Sequence, residues 1–257
     1  MASGLLVVAL GRCTRLLQHL SLEPKIYEFS VTFGKSTDTL DAEGNVIAES
    51  DVIPSKDKLM DVLKNFKGTI SQVPPQYSAI KINGTPAYKL ARKGVDVEMK
   101  SRTVTIYDLA MCGYDGGEGR ADFTVSCSSG TYVRSLAVDI VKAADAGAEG
   151  FVNKLRRTRT GRFDLSMAAD YQSLSDGINY IIGAGAAFDD SKKVIIDYNQ
   201  KAEISKGRKI IISNTGFTVD KDDSKSVLIA FDVSGTLLAV LRRIDGDLYH
   251  PEKVFIQ

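Results

Sequence analysis

The apolar rhythm of this chain changes once, close to residue 190, and that break limits the folds open to it more than any other feature. Ahead of the break, strand-like and helix-like periods alternate. Tyr27, Phe29, Val31 and Phe33 fall on the opposite side from Glu28, Ser30 and Thr32, the two-residue period of a half-buried strand. Leu59, Met60, Val62, Leu63 and Phe66 have helical spacing, with Ser55 after Pro54 as the N-cap. Two strands are predicted near 103–112 and 121–127, joined through Asp115-Gly-Gly-Glu-Gly119. Beyond Ser128-Ser-Gly130, the residues Val133, Leu136, Ala137, Ile140 and Val141 recur at the spacing of one helix face. A further helix is predicted near 170–182. After the Gly/Ala-rich stretch 183–187 the pattern turns to short strands near 194–196, 209–212, 227–231 and 237–242. The break therefore predicts a larger domain of mixed helices and strands over residues 1–187 and a small β-domain over 193–257.

Composition then narrows the chemistry. Lys and Arg number 33 against 32 Asp and Glu, so net charge does not announce a nucleic-acid partner and any basic footprint must be local. Two such segments exist. Residues 81–102 hold Lys81, Lys89, Arg92, Lys93, Lys100 and Arg102 against two acids, and Lys154-Leu-Arg-Arg-Thr-Arg-Thr-Gly-Arg162 holds five basic residues and no acid. Lys81, Arg92, Arg156, Arg157, Arg159 and Arg162 are the candidates for phosphate contacts, each contact steepening the salt dependence by about 0.7–0.9 in log–log slope. Cys13, Cys112 and Cys127 are an odd number set far apart, which argues against a disulfide framework and for a reducing cytoplasm. Two histidines cannot build a His-rich metal site, and no phosphate-binding glycine loop is present, so neither metal nor cofactor is expected. The run Leu5-Leu-Val-Val-Ala-Leu10 has no basic segment ahead of it and is far shorter than the roughly 18 apolar residues of a membrane span. It reads as a short buried strand leading through Gly11 into a helix around 15–19.

Five stretches, in order, are similar to the motifs of one enzyme family. They are Ala2-Ser-Gly-Leu-Leu-Val-Val-Ala-Leu-Gly-Arg-Cys-Thr-Arg15, Phe33-Gly-Lys-Ser-Thr-Asp-Thr-Leu-Asp-Ala-Glu-Gly44, Pro74-Pro-Gln-Tyr-Ser-Ala-Ile-Lys81 with Tyr88-Lys-Leu-Ala-Arg-Lys-Gly94, Cys127-Ser-Ser-Gly-Thr-Tyr-Val-Arg-Ser-Leu136, and Leu155-Arg-Arg-Thr158 with Gly161 and Phe163. Together they resemble the bacterial B-type tRNA pseudouridine synthases. The tail, with Gly207, Gly235 and Asp247-Leu-Tyr-His-Pro-Glu-Lys-Val254, is similar to a PUA-type RNA-binding domain. The resemblance implies an α+β fold: a mixed, mainly antiparallel sheet with flanking helices, a thumb-like insertion at about 73–100, and a small β-barrel-like PUA domain. It implies a monomer that isomerises uridine to pseudouridine at position 55, in the T-loop of tRNA, without a cofactor. The partner is then the tRNA T-arm.

Residue roles follow from the same resemblance. Tyr27 matches the tyrosine that stacks on the flipped uracil, although its place on an apolar strand face also suits core packing. Arg134 matches the arginine that holds the catalytic carboxylate, a task suited to a planar, always-charged guanidinium. By spacing alone, Arg134 reads as a surface arginine. Tyr132 matches a residue near the uracil edge, Leu155 an apolar wall of the site, and Asp41 an acid of the loop nearest the RNA. The nucleophilic aspartate falls two residues ahead of Met1 and is not in this sequence. A truncated front end, an inactive chain and an unpaired sheet edge are therefore expected, with a non-catalytic RNA-binding protein on the same scaffold as the alternative.

Overall fold

In a computed structural model of the chain, the structure describes residues 2–170, 172–173, 181–213 and 227–256. Most of the helix expected near 170–182 lies outside them. The chain forms two compact units. The first takes in Met1–Leu6 and Leu22–Ala168, and the second Val7–Ser21 and Ala169–Gln257.

The first unit is built on a mainly antiparallel sheet of seven strands. Across it run Ala2–Gly4, Gly150–Thr160, Lys25–Phe33, Arg120–Cys127, Arg102–Asp115 and Gly68–Gln72, and Phe163–Asp164 pairs with the second of these. Only the pairing of Ala2–Gly4 with Gly150–Thr160 is parallel. The alternation in the central strand does what its period predicts: Phe29, Val31 and Phe33 are buried and Phe29 stacks on Phe123. Two helices cover that apolar face. Lys56–Leu63 starts at Ser55, whose side chain accepts the Lys58 N–H, and buries Leu59 and Leu63. Val133–Ala144 buries Val133, Leu136, Ala137, Ile140 and Val141, the helical stripe of the sequence.

The strand expected across 5–10 does not form. The strand is Ala2–Gly4, and only Leu5 of the apolar run is buried, while Leu6, Val8 and Leu10 are exposed. Gly4, at φ +99°, lies directly against the Arg157 backbone, where an added Cβ would stand 2.2 Å from the Arg157 carbonyl oxygen. The chain then leaves the sheet after Leu5 N–H donates to Arg157 O. Apolar composition cannot distinguish a ladder partner from a short edge that ends at a glycine. Gly11–His19 is helical as expected, in the tighter 3₁₀ form.

The second unit holds a five-stranded sheet ordered Lys193–Ile195, Val227–Phe231, Leu237–Asp245, Leu248–Val254 and Ile210–Ile211, again mainly antiparallel. Its strands fall close to the expected places, and Leu248–Val254 is an addition. A helix, Tyr198–Ser205, was not expected. Its start was nonetheless written in the sequence, because Asp197 and Gln200 form a reciprocal capping box. Among the described residues no helix is long and apolar enough to cross a membrane, and no three His, Cys, Asp or Glu are grouped to hold a metal ion.

Candidate active site

Five residues that the sequence singles out from four separate segments line one cleft of about 410 Å³ in the first unit. They are Tyr27, Asp41, Tyr132, Arg134 and Leu155, and Ala2, Glu43, Thr131 and Val133 complete the wall. The sheet does the gathering. Tyr27 lies near the start of the central strand, opposite Arg157 on one side and Val125 on the other. Leu155 stands on the neighbouring strand, paired with Phe29, and Ala2 is registered against Leu155 from the edge. Tyr132 and Arg134 come from the N-terminal end of the helix Val133–Ala144.

Arg134 is not a surface arginine. One of its terminal nitrogens donates to Thr39 O at 2.7 Å and to the Asp41 carboxylate at 2.9 Å, and the other donates to Tyr77 O at 2.8 Å. The ion pair is largely shielded, with 19% of the arginine side chain and 9% of the aspartate side chain exposed. Asp41 is further held by the Thr39 hydroxyl at 2.7 Å and the Glu43 N–H at 3.1 Å, so it closes its own loop as well as pairing with Arg134. A guanidinium has five N–H donors. With three engaged, Nε–H and one N–H of the second terminal nitrogen have no hydrogen-bond partner among the described residues.

Tyr132 is fixed through its backbone. The fully buried Gln72 accepts the Tyr132 N–H at 2.8 Å and donates to the Tyr132 carbonyl at 3.1 Å. Sequence reasoning missed Gln72 altogether. The only signal was a lone amide two residues ahead of Pro74-Pro75, and its partner is 60 positions away. Burial pushes the Tyr27 phenol up from its ordinary range, and the Arg157 guanidinium pulls it part of the way back. Arg157 also donates from Nε to Leu5 O at 2.7 Å, tying the edge strand to the cleft wall.

The basic candidates are not gathered in the same way. Strand alternation sends Arg156 to the face opposite Arg157. Arg159 is exposed with its Nε on Gly161 O at 2.9 Å, and Arg162 is exposed just past the strand. Lys81 stands on the short hairpin Lys81–Ile82 and Thr85–Pro86, and Arg92 caps the helix Ala87–Ala91 with its guanidinium over the Tyr88 ring. None of these six lines the cleft. Nor do Asp38 and Asp139, which line a second, larger cleft instead.

Residues 1–133 match the family described as TruB family pseudouridylate synthase (N terminal domain). The chain belongs to the TruB family. This TruB-family chain is 46% identical over 175 residues to tRNA pseudouridine synthase B of Rickettsia bellii, a match that spans 68% of the chain and 59% of that protein's length. It is 36% identical over 247 residues to tRNA pseudouridine synthase B of Aquifex aeolicus, spanning 94% of the chain and 85% of that protein. Among solved structures it is similar to one described as a Cbf5-Nop10-Gar1 complex, with a TM-score of 0.61, 25% identity, and coverage of 99% of this chain and 73% of that one.

Proposed function

We propose that this TruB-family scaffold binds the T-arm of tRNA and presents uridine 55 for conversion to pseudouridine. The observation that carries the reading is the convergence of Tyr27, Asp41, Tyr132, Arg134 and Leu155 on one cleft. The reaction breaks the glycosidic C–N bond, turns the base and forms a C–C bond, so it needs a flipped base, a surface to hold it and a carboxylate beside the sugar. Flipping costs a few kcal/mol, and stacking on an aromatic face such as Tyr27 returns about 1–3 kcal/mol per base. Arg134 fits the carboxylate's requirement, since two of its N–H groups have no partner among the described residues after Asp41, Thr39 and Tyr77 are satisfied. Lys81, Arg92, Arg156, Arg159 and Arg162 supply phosphate contacts around the arm, and Arg157 serves Tyr27 and Leu5 instead. The second unit acts as a PUA-like RNA-binding domain.

The nucleophilic aspartate is not among residues 1–257; of the two acids on the cleft, Asp41 is already spent on Arg134 and its own loop, and Glu43 belongs to that same loop, two residues on. These residues by themselves therefore bind the T-arm without isomerising it. Incubation of the chain with a T-arm stem-loop should give binding and no pseudouridine. The same chain extended by Leu-Asp-Pro ahead of Met1 should form it. Turnover by the unextended chain, or a lack of turnover by the extended chain despite tight binding, would overturn the assignment, the latter in favour of a pure RNA-binding protein.

A further inference from the structure

Within the basic run 154–162, Arg157 is half-buried while Lys154, Arg156, Arg159 and Arg162 are exposed. Its strand, Gly150–Thr160, runs between the edge strand Ala2–Gly4 and the central strand Lys25–Phe33. Arg157 is registered against Gly4 on one side and Tyr27 on the other. Both polar groups of the Leu5 backbone end on it. The Leu5 N–H donates to the Arg157 carbonyl at 2.8 Å, and the Leu5 carbonyl accepts from Arg157 Nε at 2.7 Å.

The second of these bonds replaces a rung of the sheet. Strand pairing at this edge stops at Gly4, and among the described residues no backbone N–H reaches the Leu5 carbonyl. Leu5 is buried, where a carbonyl without a donor is costly, and the arginine side chain supplies the missing donor. On the other side, residues directly opposite in an antiparallel pair carry their side chains on one face, so Arg157 stands beside Tyr27. Its guanidinium pulls the phenol part of the way back from the rise that burial causes. Tyr27 and Ala2 line the cleft, and Arg157 does not. One planar cation outside the lining therefore joins two of its walls, which come from the strands on either side of its own. A lysine has a single ammonium on a flexible stem and cannot hold two partners at a fixed angle.

We propose that Arg157 is a positioning residue, which fixes the Tyr27 ring against the Ala2–Leu5 edge and so sets how the target base lies in the cleft. This role rests on the T-arm reading above. On that reading the nucleophilic aspartate stands two residues ahead of Met1, so the spacing between edge and ring is also the spacing between carboxylate and base. Arg157 works through Tyr27 and Leu5 and touches neither base nor phosphate. Its replacement should therefore disturb the placement of the base and leave the electrostatic part of RNA binding as it was, the reverse of what is expected for Arg156, Arg159 and Arg162.

A T-arm stem-loop with 5-fluorouridine at position 55 reports that placement by 19F NMR on the full chain. With the unmutated chain the fluorine should shift on binding, because a base stacked on an aromatic ring lies in its ring current. Arg157→Lys keeps the charge and loses the planar fork. It should return the bound fluorine toward its free position while the log–log salt slope of binding stays unchanged, whereas loss of a phosphate contact would lower that slope by about 0.7–0.9. In the same variant the Leu5 amide should exchange about tenfold faster or more, as expected when a hydrogen bond from a charged donor is lost, with the amides of the central strand reporting that the sheet is intact. Arg157→Met should give the same fluorine change. A bound fluorine that keeps its unmutated position in both variants would overturn the positioning role and leave the T-arm reading standing. So would a salt slope that falls by one phosphate contact. A fluorine that does not shift when the unmutated chain binds would instead defeat the T-arm reading, and the positioning role with it.

Discussion

Replacing Gln72 tests whether the cleft is held together from behind. The residue is 2% exposed, and its amide makes two hydrogen bonds with the backbone of Tyr132, 60 residues away. Gln72→Ala removes two hydrogen bonds worth about 1 kcal/mol each, and leaves the Tyr132 N–H, a part-buried donor, without its partner at a further cost of about 1–3 kcal/mol. A loss of about 3–5 kcal/mol is expected, and because 1.4 kcal/mol is tenfold in an equilibrium constant, the Tyr132 amide should exchange about 100-fold faster or more. Hydrogen exchange followed by NMR reads that amide directly. Gln72→Glu separates hydrogen bonding from volume. Its carboxylate keeps the N–H of Tyr132 but opposes the Tyr132 carbonyl, which raises its folded-state pKa. Stability is then present below the ordinary glutamate range and lost as pH rises through the raised value. If Gln72→Ala leaves Tyr132 exchange within about twofold, or Gln72→Glu is as stable at neutral pH as in acid, the clamp does not carry this load.

Three further outcomes follow from the same geometry. Gly4→Ala adds a Cβ 2.2 Å from Arg157 O at a φ of +99°, so the cost should exceed the roughly 1–3 kcal/mol of the dihedral strain alone, and the loss should appear in denaturant unfolding. Arg157→Met removes the guanidinium that offsets burial at Tyr27, so the phenolate should form at higher pH than in the unmutated chain, as read by ultraviolet titration. Asp139 has a raised folded-state pKa because burial disfavours its charge, so its stabilising contribution is present below the ordinary aspartate range and is lost as pH rises through the raised value. Unfolding free energies of the unmutated chain and Asp139→Asn, compared from acid to neutral pH, should therefore diverge in favour of the variant as pH rises.

What the sequence determined by itself was local. Alternation set the buried face of Lys25–Phe33, and a helical stripe with glycine before it set Val133–Ala144, because both are periods of a few residues with strong apolar contrast. The ordered motifs were legible too, and they named most of the residues that meet at the cleft. Sequence could not distinguish Arg134 as a surface arginine from Arg134 as a shielded one, since its three acceptors belong to residues 39, 41 and 77. The basic run 156–162 looked like one patch, and only the strand pleat divided it, turning Arg157 to Tyr27 and Leu5 and Arg156 the other way. The apolar run 5–10 kept the composition of a strand, but the ladder ended at Gly4 against a neighbour more than 150 positions away. Gln72 left next to no signal: an amide bonded to a distant backbone looks like any other amide in a sequence, because partners far apart in the chain leave no period. Tertiary packing alone decides which polar groups are satisfied, and in this protein that decision shapes the cleft.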